Sequence, residues 1–178
     1  MTRPAPIPRR ALLSLLVLPL AACGFHPLYS EQALETDEPA LAAIKVGTIP
    51  DRIGQQLALS LREALNPSGL SVEPRYALGV SLQVIRVDLG IQRDASSTRG
   101  RVDTYATLRL LEVATGKQVY TSRAQSTAAF NILTDAYAAE VAEEDARTRC
   151  VRDLAIEIRT RLALFMREQQ KKSAKKTS

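Results

Sequence analysis

The sequence predicts an α+β fold, a two-layer sandwich in which two amphipathic helices cover one face of a four-stranded sheet in the order βαβββα. In two segments apolar residues recur every three or four positions, as they do in amphipathic helices. In four other segments apolar and polar residues alternate or form short β-rich runs, which indicates strands. Turn residues such as proline, glycine and asparagine separate these segments and set the order of elements.

The first strand and the first helix are predicted within residues 44–69. Residues 44–49 alternate and end at Pro50, and Asp51 is a natural N-cap for the helix that follows. Apolar residues then recur at helical spacing until Asn-Pro-Ser-Gly at 66–69 ends the helix. These apolar positions are Ile53, Leu57, Leu61 and Leu65.

The second predicted strand changes its apolar face along its length. Its first half places Tyr76, Leu78, Val80, Leu82 and Val84 on one face. Its second half places Ile85, Val87, Leu89 and Ile91 on the other. Because side chains alternate with a period of two, this change predicts either a bulge near Val84 and Ile85 or a cover on the second face.

The third and fourth strands are predicted to form a hairpin. Apolar residues from Val102 to Leu110 alternate with Asp103, Thr107 and Arg109. The turn is Ala-Thr-Gly-Lys at 114–117, and the fourth strand follows at about 118–128. Its serine, threonine and glutamine content indicates that one of its faces is solvated.

A long amphipathic helix is predicted after the cap residues Thr134 and Asp135. Its apolar stripe consists of Val151, Leu154, Ile158, Leu162 and Phe165. We interpret this stripe as packing on the sheet, and a partner-binding or membrane-lying helix is the alternative. The α+β domain is thus expected at 44–168, with a disordered basic tail at 169–178. Both helices then lie on one sheet face, and we expect another molecule to cover the other.

Residues 1–22 have the layout of a secretory signal peptide. Arg3, Arg9 and Arg10 form the positive region, an apolar run follows, and Ala22 is the small residue before the cleavage site. The apolar run is shorter than the roughly 20 residues that a membrane span needs. Cys23 comes next, and the segment resembles the lipobox of bacterial lipoproteins. An ordinary secreted protein with a cysteine beside its cleavage site is the alternative.

Lipidation of Cys23 predicts where the protein resides. Each buried methylene contributes about 0.8 kcal/mol, so several acyl chains hold a domain firmly at a bilayer. Residue 24 is glycine, whereas an aspartate there favours retention at the inner membrane in enteric-type lipoproteins. We expect the periplasmic leaflet of the outer membrane, with residues 23–43 as lipidated N-terminus and tether.

Composition argues against several classes of function. The net charge of +5 arises from the two ends of the chain, so it does not indicate a nucleic-acid partner. His26 is the single histidine, which argues against His-based catalytic triads and His-rich metal sites. No glycine-rich phosphate loop occurs. We therefore expect a protein that is not an enzyme, with no catalytic residues, no metal and no cofactor apart from the lipid on Cys23.

Two further features of the last helix, a cysteine and a run of three acids, are interpreted as structural and not as catalytic. With Cys23 lipidated, Cys150 has no partner for an intramolecular disulfide, and its helical position favours a small buried apolar residue over a reactive thiol. Glu143, Glu144 and Asp145 are consecutive, so their side chains diverge around the helix and do not form a facing acid/base pair. We interpret these three acids as a solvated helix face.

The segment Cys-Gly-Phe-His-Pro-Leu-Tyr at 23–29 resembles the mature N-terminus of the LptE lipoproteins, especially their alphaproteobacterial form. More distributed similarity lies in later segments, and the order of elements agrees with that of the family. These segments are 90–94, 98–105, 114–117 and 145–162.

The resemblance implies a protein that sits as a plug inside the LptD β-barrel, assists its assembly and binds lipopolysaccharide. A ligand with phosphates and acyl chains calls for fixed cations near apolar or backbone surface. The candidate phosphate-facing residues are Arg93, Arg99, Arg101 and Lys117. For each, a solvated loop cation or an ion pair with LptD acids is the alternative.

Two other functions stay open at this point. An auxiliary lipoprotein of an intermembrane lipid-transport ABC system shares the lipobox and a similar strand-helix opening. A periplasmic cell-wall enzyme is the second alternative, and it needs acidic or hydroxyl groups gathered in a cleft.

Overall fold

The computed structural model describes residues 38–91 and 97–177, so Ala22 and Cys23 lie outside the described part. The predicted α+β sandwich is confirmed, with the order βαβββα. The elements are β1 (Ile44–Val46), α1 (Asp51–Leu65), β2 (Tyr76–Ile91), β3 (Ser97–Glu112), β4 (Gln118–Asn131) and α2 (Ala136–Thr177). The sheet has the strand order β1-β2-β3-β4. β1 pairs with β2 in parallel, and the other two pairs are antiparallel.

Both helices pack on one face of the sheet, formed by the even-numbered residues of β2, β3 and β4. Leu78, Leu108 and Leu110 from this face join one buried cluster with Leu57 of α1 and Leu154 of α2. The strand period of two and the helical period of 3.6 bring these leucines to a common layer. The main core therefore lies between the sheet and the helix pair.

A second, smaller core lies where β3, β4 and α2 meet, near the end of the sheet at which β2 ends and β3 begins. It contains Val102, Phe130 and Cys150, together with Ala128 and Ala146. Cys150 is fully buried, and its Sγ lies 3.6 Å from the carbonyl oxygen of Val102. The predicted small, buried role of this cysteine is confirmed.

The packed body begins before the first strand. Residues 38–42 form a helical turn, and Leu41 and Ala43 are buried against the main core. The end of the segment expected as a tether at 23–43 thus contributes apolar packing, which the absence of periodic pattern there did not reveal.

The two helix starts differ. At α2 the Asp135 side chain caps the helix, accepting a hydrogen bond from the Ala138 N–H at 2.8 Å, as predicted. At α1 the predicted N-cap was wrong, because Pro50 occupies the N-cap position and no side chain caps it. Asp51 instead has a φ of 66°, a left-handed conformation that aspartate tolerates better than most residues.

The second strand contains no bulge near Val84 and Ile85. β2 and β3 keep one register from Tyr76 opposite Glu112 to Leu89 opposite Arg99. The register shift lies instead in the β3–β4 pair, between Leu110 and Leu111. The change of apolar face therefore leaves Ile85, Val87 and Leu89 on the sheet face that the helices do not cover.

The C-terminal segment also differs from expectation, because α2 continues through the predicted tail to Thr177. Glutamine, lysine, alanine and glutamate are good helix formers, and extending an existing helix avoids the cost of nucleation. Lys171, Lys172 and Lys175 are exposed along this extension.

The interpretation of the acidic cluster needs a correction at one residue. Glu143 is 3% exposed, while Asp145 is exposed and forms an ion pair with Arg149. Glu143 contacts Arg86 of β2 at 2.7 Å and also forms an ion pair with Arg147, four residues along α2. The cluster is a solvated face only in part, because β2 supplies an arginine that draws one of its acids inward.

Candidate ligand-binding face

The odd-numbered residues of β2, β3 and β4 form the sheet face opposite the helices, here called the open face. Within the described residues, the helices bury only the other face, and most side chains of the open face are half-buried or exposed. Asp103 is the exception, at 7% exposed. The open face is thus a broad surface that the described part of the fold leaves for a ligand or partner.

Four arginines lie on the open face, and one of them is neutralised there. Arg101 donates two hydrogen bonds to one Asp103 carboxylate oxygen, at 3.1 Å from Nε and 2.8 Å from Nη2. The other carboxylate oxygen accepts a hydrogen bond at 3.0 Å from the Thr127 hydroxyl. Asp103 therefore fixes Arg101 in place and offsets its charge. The four arginines are Arg99, Arg101, Arg109 and Arg123.

Arg109 and Arg123 have no side-chain hydrogen bond or ion pair within the described part of the chain. Arg109 lies opposite Thr121, and Arg123 lies opposite Thr107. The two arginines are therefore diagonal neighbours on adjacent strands, with side chains about 7–8 Å apart at their bases. Two exposed guanidinium groups at this spacing can bind one phosphate between them.

Apolar side chains accompany these cations. Tyr105 is 42% exposed and Ile85 is 39% exposed, and both lie on the open face. Half-buried Val87 and Leu89 extend the apolar strip along β2. A cavity of about 370 Å³ lies beside Tyr105, Thr107 and Arg123. The open face thus combines fixed cations with apolar surface, which is the chemistry that an amphiphile with phosphates needs.

The structure brings together two of the four predicted cations. Arg99 and Arg101 are neighbours on the open face of β3, and Arg99 is exposed. Lys117 lies in the exposed β3–β4 turn, roughly 35 Å from Arg101 along the strand. Arg93 lies outside the described residues, so its position relative to the others stays a prediction.

Sequence reasoning missed Arg109 and Arg123 as candidates because it favoured loop cations over strand cations. The strand alternation itself carried the signal. Arg109 alternates with Leu108 and Leu110, and Arg123 precedes buried Ala124. Arginines at the polar positions of two adjacent strands share a sheet face by geometry alone.

A second charged cluster lies at the other side of the sheet and serves packing. Arg86 contacts Asp88 at 3.0 Å and Glu143 at 2.7 Å, and its guanidinium lies 5.6 Å from the centre of the Phe130 ring. The hydrogen bond to Asp88 raises the pKa of Arg86, and the charge of Glu143 adds to this shift. Arg86 is thus held in place by two acids where β2 meets α2.

Neither a metal site nor a membrane span occurs in the described ranges. No three histidine, cysteine, aspartate or glutamate side chains there lie close enough together to hold a metal ion. No helix there is both long enough and apolar enough to cross a bilayer.

Comparison with known proteins gives fold relatives among solved structures. No known family profile matches the chain, and no curated protein matches it by sequence. A candidate lipoprotein of Caulobacter crescentus CB15 has a TM-score of 0.60 and 23% identity, covering 74% of this chain and 96% of its own. The rare lipoprotein B of Shewanella oneidensis has a TM-score of 0.55 and 10% identity, covering 71% and 98%. A minor lipoprotein of Acinetobacter baumannii has a TM-score of 0.57 and 15% identity, covering 70% and 93%. The chain therefore shares its fold with these lipoproteins over most of their length.

Proposed function

We propose that this protein is a lipid-anchored LptE-type lipoprotein of the outer membrane that partners the LptD β-barrel and binds lipopolysaccharide. It acts as plug and assembly factor of the barrel, and it contacts lipopolysaccharide during transport to the outer leaflet. The lipobox at Cys23 and the segment that follows it supply the sequence basis. The fold shared with a rare lipoprotein B, a name also given to LptE, supports the same assignment.

The open face is the observation that carries the ligand part of this proposal. Lipopolysaccharide presents phosphates close to acyl chains, and it therefore needs cations beside apolar surface. Arg109 and Arg123 supply two unpaired guanidinium groups, and Tyr105 supplies an exposed apolar ring between them and Ile85. A buried catalytic set would point to an enzyme instead, and the open face holds a single acid, Asp103, already paired with Arg101.

Charge reversal of Arg109 and Arg123 tests the ligand site. The Arg109→Glu/Arg123→Glu variant of the full chain should bind purified lipopolysaccharide at least tenfold more weakly, because it replaces two favourable charge-assisted contacts by repulsion. The matched control is Arg62→Glu/Arg152→Glu, which makes the same charge change at exposed positions of α1 and α2. Equal binding by both variants would exclude the open face as the ligand site.

Arg99 and Arg101, which the sequence predicted as phosphate-facing cations, are tested separately. Arg99→Glu combined with Arg101→Gln reverses one charge and removes the other, and unchanged lipopolysaccharide binding would eliminate both residues. Because Asp103 already offsets the charge of Arg101, we expect Arg101→Gln alone to change lipopolysaccharide binding little.

Copurification identifies the partner. Native full-length protein, extracted from outer membranes and captured by a C-terminal tag, should recover a β-barrel of the LptD type. Recovery of an inner-membrane ABC transporter instead would favour the auxiliary lipid-transport lipoprotein and contradict the proposal.

A further inference from the structure

The outer edge of β4 is left without a strand partner in the described part of the protein. β4 is the last strand in the sheet order, and it pairs with β3 on one side. Its 14 residues span about 45 Å of backbone. An edge of this length exposes a row of N–H and C=O groups that can pair with another chain.

Hydrogen bonds show which backbone groups of β4 point outward. Val113, at an odd position, donates its N–H to the Arg75 carbonyl next to β2, whereas Glu112 donates to the Lys117 carbonyl next to β4. Even residues of β3 therefore bond to β4, and these are paired with even residues of β4, such as Ala106 with Ala124. The odd residues of β4 consequently direct their N–H and C=O groups away from the sheet.

One end of this edge is already closed by α2. Arg149 donates a hydrogen bond at 3.0 Å to the Ala129 carbonyl, which confirms that odd residues point outward. From Thr121 to Thr127, no backbone hydrogen bond joins the outer edge to another described segment. The accessible stretch thus offers four outward-pointing residues, enough for a short added strand.

The sequence of this stretch has few of the features that protect natural sheet edges. It contains no proline, no glycine and no lysine, and its single charged residue is Arg123. Native proteins usually blunt an exposed edge with such residues or cover it. A partner chain can add a strand to an exposed sheet edge that carries so little protection.

Charge selects the occupant of this edge. Unpaired Arg123 lines the 370 Å³ cavity at its centre, and Arg161, which also lines this cavity, is already paired with Glu157 at 2.6 Å. A second copy of β4 would bring another Arg123 to the same face, and it carries no acid to pair with either. A strand with acidic side chains on the Arg123 side meets this edge without repulsion.

We propose that the β4 edge from Thr121 to Thr127 binds an extended, acidic segment of a partner protein as an added strand. The backbone of that segment bonds to the outward N–H and C=O groups, and its acidic side chains lie over Arg123. This site goes beyond the proposed function, because it requires neither lipopolysaccharide nor the barrel.

Peptide binding tests the proposal on the full 178-residue chain in detergent. The probe is a seven-residue peptide that alternates valine and glutamate, so that its glutamates share one face. Hydrogen exchange, followed by NMR, should slow at least tenfold at the amides of Arg123 and Gln125 when the peptide is saturating. The amides of Ala124 and Ser126, already within the β3–β4 ladder, should change little. A peptide with lysine in place of glutamate should bind at least tenfold more weakly.

A matched pair of variants separates backbone from side-chain effects. Gln125→Pro removes one outward N–H without removing a ladder hydrogen bond, and Gln125→Ala keeps that N–H. We expect Gln125→Pro to weaken peptide binding at least tenfold and Gln125→Ala to leave it within twofold.

Peptides N-methylated at one alternate set of amides or at the other provide a test that needs no variant. Binding should be lost for one set and retained for the other, since only one set can face β4. Equal loss for both sets, equal binding of the lysine peptide, or absence of protection at Arg123 and Gln125 would overturn the proposal. Protection of these amides that rises with protein concentration in the absence of peptide would also overturn it, because a second copy would then occupy the edge.

Discussion

The burial of Glu143 could not be predicted from the sequence pattern around it. It stands in a run of three acids, and the run looks uniformly solvated in the sequence. In the structure Arg86, which is 57 residues away along the chain, reaches across from β2 and pairs with Glu143 but with neither of the other two acids. Which of three adjacent acids becomes buried depends on this long-range contact, and local sequence does not encode it.

We expect Glu143→Gln to destabilise the protein by about 2–3 kcal/mol, because it leaves Arg86 and Arg147 without their shared carboxylate. The control is Asp145→Asn, two residues further along α2, where an exposed ion pair with Arg149 contributes less than about 0.5 kcal/mol. Urea unfolding of both variants measures the difference. Similar losses for the two would show that burial does not distinguish these acids.

Gly100 is a second residue whose role depends on a distant neighbour. It lies opposite Phe130 in the β3–β4 pair, and a Cβ atom placed on it would lie 2.3 Å from the Phe130 ring. The ring therefore occupies the space that any side chain at position 100 would need.

Gly100→Ala should destabilise the protein by about 1–3 kcal/mol through overpacking against this ring. Gly79→Ala is the control, since its added carbon meets only the Arg109 carbonyl at an ordinary 3.8 Å, and we expect it to be neutral or slightly stabilising. Thermal unfolding gives both values. In a Phe130→Leu background, the cost of Gly100→Ala should fall by at least half, and an unchanged cost would rule out the ring as its cause.

At the scale of elements, features that follow from the residue alternation within one segment could be predicted from the sequence. Features that depend on how segments pack against one another could not. Alternation in β3 assigned Leu108 and Arg109 to opposite faces correctly. Of the two explanations for the change of apolar face in β2, the bulge was wrong, because the β2–β3 register accommodates Ile85 on the open face without one. A cover on that face stays a prediction. The end of α2 was also wrong, since a charged composition alone does not distinguish a solvated helix from a disordered tail.

The two helix caps give a test at this scale. Asp135→Ala should lower stability by about 1 kcal/mol, because the Ala138 N–H loses its acceptor. Asp51→Gly, at the start of α1, should have no such cost, since Asp51 makes no capping bond and its φ of 66° suits glycine. Urea unfolding checks both, and a loss of about 1 kcal/mol in Asp51→Gly would contradict this assignment of caps.

At the scale of the molecule, the two faces of the sheet divide the chain's tasks. The face of even-numbered residues forms the core with the helices. The open face carries the arginines and the exposed apolar side chains. Arg99 and Arg101 could be predicted from the sequence as neighbours, but the ion pair between Arg101 and Asp103 could not. Lys117 belongs to a different end of the molecule, which proximity in sequence to the other cations concealed.

The proposed lipid anchor at Cys23 concerns the whole molecule and has its own test. Cys23→Ser should release the protein from the membrane fraction and abolish incorporation of labelled palmitate, because the hydroxyl does not substitute for the thiol that receives the lipid. Ser30→Cys combined with Cys23→Ser controls for the presence of a thiol nearby and should remain unlabelled. Membrane retention of Cys23→Ser would mean that another contact holds the protein in place.

The sheet's connectivity also bears on how the chain reaches its folded state. β2, β3 and β4 are consecutive in both sequence and space. Each pairing therefore closes a short connection, and the entropic cost of closing that loop is small. The parallel β1–β2 pair must close across α1, and α2 packs against a surface that α1, β3 and β4 build. We expect the hairpins to form first and α2 to dock last, which makes docking of the final helix the step that commits the chain to its native state.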